Sequence, residues 1–344
     1  MPCTGCEMKL SNLVLLSLCS TCLISSAYST EIYKNPAIFG VDLTGGLFRG
    51  SANDSGFAIA ESERASAATP SGSLLKVDPK GEFGGAIAIN YQFAHSPNKV
   101  GIYYGRIDTE SSKASSGLFG PTKIPSDWGV DEAAEVRSNI DFDVDIFRFT
   151  FGQIFQGGCH STIMPQLGFA YLRVQNDQTT IYSGEDVDPL GSIISIEEKS
   201  SFKGFGPAFA IDIDYKIHSG FSIFGNFVYA GLIGDTKASY TALSEDTDDT
   251  STSVEIETKK LIVSLLQTEM GLAYLFDSPN YAIKFMLGYS VASSLGSESK
   301  GDFVDDVNES KFITSIKNVG FQGPFARLAF NFQPPAHLAH LLNS

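Results

Sequence analysis

The feature that most constrains this chain is a repeated alternation of apolar and polar residues. Stretches of about ten residues with this alternation recur about ten times after residue 35. A period of two places successive side chains on opposite faces of a β-strand. The pattern therefore predicts an all-β chain in which every strand has one apolar and one polar face.

The connections between these stretches alternate in length. Four are short turns, at residues 96–98, 156–160, 218–220 and 277–280, and longer polar segments lie between them. In hydrocarbon every backbone N–H and C=O must be paired, and only helices and barrels without free edges achieve this. Short turns at one end and long loops at the other are typical of bacterial outer-membrane barrels.

The predicted fold is a closed antiparallel transmembrane β-barrel of about ten strands (range about 8 to 12), with long extracellular loops and short periplasmic turns. The alternative is a soluble β-sandwich, which has no reason to gather its long connections at one end. The chain is 43% hydrophobic, yet no segment after the leader has the run of about 18 apolar residues that a membrane helix needs. A net charge of -15 argues against a nucleic-acid partner, because phosphates would be repelled.

The first residues have the pattern of a secretory signal peptide. Lys9 precedes an apolar core at residues 13–24, and Ala27-Tyr28-Ser29 resembles a cleavage site. Met8 stands directly before Lys9 and offers a second possible start. The sequence therefore predicts export, with the mature chain beginning near Thr30.

Three segments follow from the leader and the strand pattern: a signal peptide at 1–29, an outer-membrane β-barrel at 30–332 and a periplasmic C-terminal tail at 333–344. The predicted location is the outer membrane of a Gram-negative bacterium. The expected partners are the lipid bilayer, lipopolysaccharide and the barrel-assembly machinery.

Four of the five cysteines belong to the leader, where a zinc-like spacing coincides with the apolar core of the export signal. No metal or cofactor is therefore predicted. Cys159 is the one thiol of the exported part, in a short turn. In an oxidising compartment it is a candidate for an intermolecular disulfide with a second copy, and the alternative is an inert turn cysteine.

Charged residues at the polar positions of the strands are candidates for the barrel lumen. In residues 140–155, aspartates alternate with apolar residues and Phe147 then continues in the other phase, so we predict a β-bulge near Ile146 and Phe147 that keeps the aspartates inside. The candidate lumen-lining residues are Asp141, Asp143, Asp145, Arg148, Asp212, Asp214, Glu269, Lys284 and Arg327.

Two interpretations of this polar interior remain open. Charges on the lipid face would each cost about 2–4 kcal/mol, whereas hydrated or paired charges inside cost little. The first interpretation is an aqueous path in which acidic residues favour cations. The second is a filled network of ion pairs, since barrels of about eight strands leave space only for side chains.

The histidines argue against a His-dependent enzyme at the outer rim. His95, His160 and His218 fall at the short turns, and His337 and His340 belong to the tail. A general base of this type is therefore missing from the extracellular end of the predicted topology. We predict a protein without catalytic activity.

Two segments resemble a known family. Residues 142–174 contain an Asp-alternating aromatic strand and a Gly-Cys turn, and residues 202–234 contain the Gly-Phe-Gly-Pro strand and a Gly-x-Ser-x-Phe-Gly strand. These features resemble the Legionella and environmental-chlamydia major outer-membrane-protein family, described as pore-forming barrels. The resemblance implies an abundant surface protein of porin type, with Cys159 at the position of a turn cysteine that can be cross-linked.

The functional prediction is a porin-like barrel that allows passive diffusion of small solutes or ions through a polar lumen. The alternative is a non-conducting structural surface protein or adhesin that acts through acidic extracellular loops, such as the segment around residues 235–258.

Overall fold

The computed structural model describes residues 36–52, 55–61, 72–77, 80–124, 132–157, 160–184, 193–244, 251–304 and 311–333. The leader, Cys159 and the tail after Gln333 lie outside these residues, and so do the predictions made for them. Among the described residues, no helix is long and apolar enough to cross a membrane.

The described chain forms thirteen β-strands. Their bounds are β1 Ile38–Ala52, β2 Gly56–Glu61, β3 Gly72–Lys76, β4 Glu82–Gln92, β5 Asn98–Pro121, β6 Ala133–Gln153, β7 Phe155–Gly157, β8 Ser161–Ser183, β9 Ile193–His218, β10 Phe221–Ser244, β11 Ser251–Asp277, β12 Tyr281–Val304 and β13 Lys311–Phe332.

Ten of these strands close into an antiparallel ring, and the predicted barrel is confirmed. The ring consists of β1, β4, β5, β6 and β8 to β13, and it closes where β13 pairs with β1 and where β5 pairs with β6. β2 and β3 form a hairpin beside β5, and β7 pairs with β8 next to the end of β6. The registers around the ring correspond to a shear of about 12 residues and a strand tilt of about 40°.

The strands are much longer than the membrane requires. β6 has 21 residues and β11 has 27, whereas about 9–11 tilted residues cross a bilayer. Segments that we predicted as loops are therefore largely strand: β10 continues to Ser244 and β11 begins at Ser251. Backbone pairing continues outside the lipid through these polar segments, with one register shift between Gly234 and Thr236 where β10 pairs with β11.

The polarity of the two barrel faces reverses along the long strands, as β10 shows. Near the periplasmic turn of β10, Ile223 and Tyr229 are exposed on the outside. Further along the same strand, Lys237 is exposed on the outside while Tyr240 and Ala242 are buried inside. The lower half is thus apolar outside and partly polar inside, and the upper half is polar outside and largely apolar inside.

The reversal marks the outer edge of the lipid-facing band, which is about 25 Å tall in barrels of this class. Four neighbouring strands carry an outward apolar row formed by Tyr104, Phe147, Tyr171 and Phe205. The next outward row on the same strands is charged and consists of Arg106, Asp145, Arg173 and Lys203. We call this second row the charged row.

Candidate functional site: the barrel interior

The structure places Asp141, Asp143 and Asp145 on the outer surface, so the prediction that they line the lumen is wrong. The predicted bulge is not present, because Ile146 pairs with Leu172 and Phe147 with Tyr171 in one unbroken register. The residues of β6 that point inward here are Phe142, Val144 and Ile146, and all three are buried.

The physical reason is that β6 leaves the lipid just above Phe147. The phase that turns Phe147, Phe149 and Phe151 toward lipid turns the three aspartates toward water on the outside. There Asp143 accepts a hydrogen bond from Arg106 at 3.3 Å, and Asp145 accepts one from the Tyr104 hydroxyl at 2.9 Å. The aspartates therefore belong to the extracellular surface.

Carboxylates lie opposite one another on this outer surface. Asp108 faces Asp143, while Glu110 and Asp177 flank Asp141 from the two neighbouring strands. Partial burial raises the pKa of Asp141, and repulsion from Asp143 and the other carboxylates raises it further. Like charges in directly opposed positions destabilise a sheet.

The other six predicted lumen residues point into the barrel: Arg148, Asp212, Asp214, Glu269, Lys284 and Arg327. Arg327 forms an ion pair with Glu269, at 2.7 Å between Nη2 and Oε2, and its Nε donates to the Thr44 hydroxyl at 2.8 Å. Lys284 forms an ion pair with Asp214. Four of the six therefore satisfy one another in pairs.

Asp212 is held by amides rather than by a cation. It accepts a hydrogen bond from Gln166 Nε2 at 2.6 Å and another from Asn226 Nδ2. Gln166 in turn accepts from the Thr150 hydroxyl at 2.7 Å. This network links neighbouring strands across the middle of the lower lumen.

Sequence reasoning missed two charged residues of the lower lumen, Asp42 and Lys99. Asp42 accepts a hydrogen bond from Asn90 Nδ2 at 3.0 Å, and Lys99 lies near both on the next strand. The alternation in β1 could have revealed Asp42, because its neighbours Val41 and Leu43 are apolar and point outward.

The polar side chains surround a chain of cavities that opens at the periplasmic end. A cavity of about 550 Å³ lies at the turns around His160 and His218, and it shares Asp214 and Lys284 with a second cavity of about 290 Å³. The second shares Asp212 and other residues with a third, of about 110 Å³, which extends up to Arg148. We call the three together the vestibule.

An apolar belt lies above the vestibule. Every strand of the ring except β4 contributes a buried residue to it, and these residues are Phe48, Ile107, Val144, Leu172, Phe202, Leu232, Leu265, Ala292 and Phe321. Leu172, Phe202, Leu232 and Leu265 are 0% exposed. A cavity at this level, lined by belt residues and by Gln267 and Glu269, is about 20 Å³ and holds roughly one water molecule.

Glycines provide the space that the aromatic rings of the lumen occupy. A Cβ added at Gly84 would lie 2.7 Å from the Phe48 ring, and one added at Gly46 would lie 2.9 Å from it. A Cβ at Gly288 would lie 3.0 Å from the rings of Phe224 and Phe325. The filling of the lumen therefore depends on small and large residues in complementary positions.

The interior of the upper half is also packed. A polar layer contains Ser138 and Thr180, with 2.9 Å between their hydroxyls, and Lys123, which donates to Gln178 at 3.0 Å and pairs with Glu198. A second apolar cluster that includes Tyr182, Ile194 and Tyr240 lies beyond it. Burial raises the pKa of Tyr182 well above its ordinary value.

A family model decides which group of outer-membrane proteins this barrel represents. The model described as Legionella pneumophila major outer membrane protein precursor matches residues 48–332, which is nearly the whole ring. The chain belongs to this family. The resemblance found in the sequence is confirmed, and so is the location in the outer membrane.

Solved structures add weaker similarities. The outer membrane protease OmpT from Escherichia coli is 15% identical with a TM-score of 0.47, over 89% of this chain and 100% of that chain. A major outer membrane protein from Thermus thermophilus is 12% identical with a TM-score of 0.36, over 87% and 100%. Similarities this weak carry no information on activity. Among curated proteins, none matches the sequence.

Proposed function

We propose that this protein is a structural surface barrel of the outer membrane whose lumen is closed at rest. The observation that carries the proposal is the apolar belt, because its side chains are buried and leave room for roughly one water molecule. An apolar constriction loses its water, and an ion must give up hydration to pass through it. The belt therefore opposes steady conduction. The proposal includes no catalytic step.

A second candidate is a gated porin, which the polar vestibule favours. Conduction would then require the belt to move. The expected preference for cations loses its basis, since the lower lumen contains four acidic and four basic residues: Asp42, Asp212, Asp214 and Glu269 against Lys99, Arg148, Lys284 and Arg327.

Single-channel recording in planar bilayers tests the proposal. We expect no stable conductance steps from the wild-type protein. The triple variant Phe202→Ala, Leu232→Ala and Leu265→Ala removes three belt side chains on neighbouring strands, and it should conduct because water can then enter the belt.

The matched control is Phe205→Ala, Ile233→Ala and Ile262→Ala, which shortens outward residues of the same three strands. It should stay silent like the wild type. Regular open steps from the wild-type protein would refute the closed barrel and favour the porin.

The charged row supports lipopolysaccharide as the partner of the outer surface. Arg106, Arg173 and Lys203 point outward directly above the outward apolar row, where the outer surface changes from apolar to charged. The side chain of Arg106 is about half exposed. Cations at this level are complementary to lipid phosphates.

A further inference from the structure

Arg148 is a buried cation without an anionic partner. The residue is only 8% exposed, and its guanidinium carbon lies 4.1 Å from the centroid of the Tyr103 ring. Among the described residues, no side chain forms a hydrogen bond or an ion pair with it. A buried charge of this kind is costly unless water or a bound anion compensates it.

The carboxylates around the same cavity are already engaged. Glu269 is paired with Arg327, Asp212 accepts from two amides and Asp42 accepts from Asn90. Each of these carboxylates therefore has its donor within the protein. Arg148 lines the same cavity, and no carboxylate of the described residues contacts its guanidinium.

The stacking on Tyr103 leaves the hydrogen-bond donors of Arg148 free. A cation-π contact uses the flat face of the guanidinium, whereas the N–H groups project in its plane. Two parallel N–H groups match the two oxygens of a carboxylate. The contact with Tyr103 thus helps to hold the guanidinium in place at the cavity that Arg148 lines.

The size of the cavity limits the ligand. Its volume is about 110 Å³, several times what a single water molecule needs, so the space suits a small molecule of a few heavy atoms. The next inward residue on β6 is Ile146, next to the apolar belt, which blocks passage upward. The wider cavities below supply the entry from the periplasm.

We propose that the upper end of the vestibule is a binding site for a small organic carboxylate that enters from the periplasm, with Arg148 as its principal ligand. Binding at this site requires access from the periplasm only, so it does not depend on whether the belt conducts.

Binding of ¹³C-labelled acetate to the detergent-solubilised barrel, followed by NMR line broadening, tests the proposal. We expect saturable broadening with the wild type. Arg148→Gln should weaken binding at least about tenfold, as expected when a charge-assisted hydrogen bond is lost. Arg148→Lys should retain part of it, because the positive charge remains.

Two further variants separate the site from general effects. Arg106→Gln removes an exposed arginine from the outer surface of the neighbouring strand, and it should leave binding unchanged. Gly101→Val fills the same cavity without altering its charges, since even a Cβ there would approach Asn90 Oδ1 to 2.8 Å. Gly101→Val should weaken binding, and it keeps the test available if Arg148→Gln fails to fold.

Wild-type protein that shows no saturable broadening would overturn the site, and so would equal losses in Arg148→Gln and Arg106→Gln. Methylammonium is the probe of opposite charge and should not bind. Conductance recordings bear on the closed lumen alone, so the two proposals can fail separately.

Discussion

The lower and upper halves of the barrel are built on the same strands with opposite polarity. Phe147 faces lipid on the outside of β6 while Arg148 faces the vestibule, whereas a few residues higher Asp143 faces water and Val144 is buried in the apolar belt. The lower half follows the rule for membrane proteins and the upper half the rule for water-soluble ones. Solvent, and not strand geometry, decides which face is apolar.

The largest expected effect compares two leucines on the two faces of β8. Leu172 is 0% exposed in the belt, and Leu167 is 65% exposed on the lipid face. Leu172→Ala should lower the free energy of unfolding by about 2–5 kcal/mol, because a cavity remains in a packed interior. Leu167→Ala should cost clearly less, since lipid chains fill the space. Urea unfolding in lipid vesicles measures both, and equal losses would contradict the comparison.

A smaller effect is expected at the charged row. Replacing Arg106, Arg173 and Lys203 together with Gln removes the cations that face the outer leaflet, each worth about 1 kcal/mol with anionic lipid at low salt. The variant should lose most of the thermal stabilisation that bisphosphorylated lipid A gives to the wild type.

The matched control for that experiment uses Lys199, Lys237 and Lys259, which are exposed higher on the upper half. Their replacement with Gln should leave the response to lipid A intact. Dephosphorylated lipid A should stabilise the wild type and both variants equally, and a difference there would argue against phosphate recognition.

The smallest effect concerns the carboxylates on the outside of the upper half. The pKa of Asp141 is raised in the folded state, so its charge opposes folding, and stability falls as the pH rises from its ordinary value of 3.8 through the raised one. Asp141→Asn should remove this dependence and add about a few tenths of a kcal/mol near neutral pH, since exposed charges are screened. Unfolding midpoints measured at several pH values provide the readout.

Asp145→Asn is the control on the same face, because Asp145 accepts a hydrogen bond from Tyr104 and lies 3.6 Å from Arg173. It should not stabilise the protein. A gain in both variants would mean that net charge, and not the local opposition of carboxylates, sets the effect.

The sequence predicts the ring well because alternation holds through the lipid-facing part of the strands, and the register shifts of β10 with β11 and of β12 with β13 lie above it. Asp212 and Asp214 line the interior cavity, and their sequence neighbours Ile211 and Ile213 lie on the other face of β9, as the alternation in this strand predicts. Asp141 to Asp145 were misplaced because alternation states that two faces differ but not which one is inside. Recognising that the strand had left the lipid required the register with its neighbours.

The belt was beyond sequence reasoning for a related reason. Phe202, Leu232 and Leu265 are apolar residues of the kind that faces lipid in the lower half. They lie in the interior because the apolar face of the strands is the inner one at their level. The vestibule was partly foreseen through its charged residues. Its closed upper end depends on Phe48 packing over Gly46 and Gly84, a contact between distant parts of the sequence that no local pattern shows.

The seam between β1 and β13 has a consequence for biogenesis. The hydrogen bond from Arg327 to Thr44 joins residues that are 283 positions apart, so the ring cannot shut before its final strand has been synthesised and exported. Until then the polypeptide carries unsatisfied strand borders, which invite aggregation. This topology therefore predicts that the exported chain needs protection from aggregation until its last strand can pair with the first.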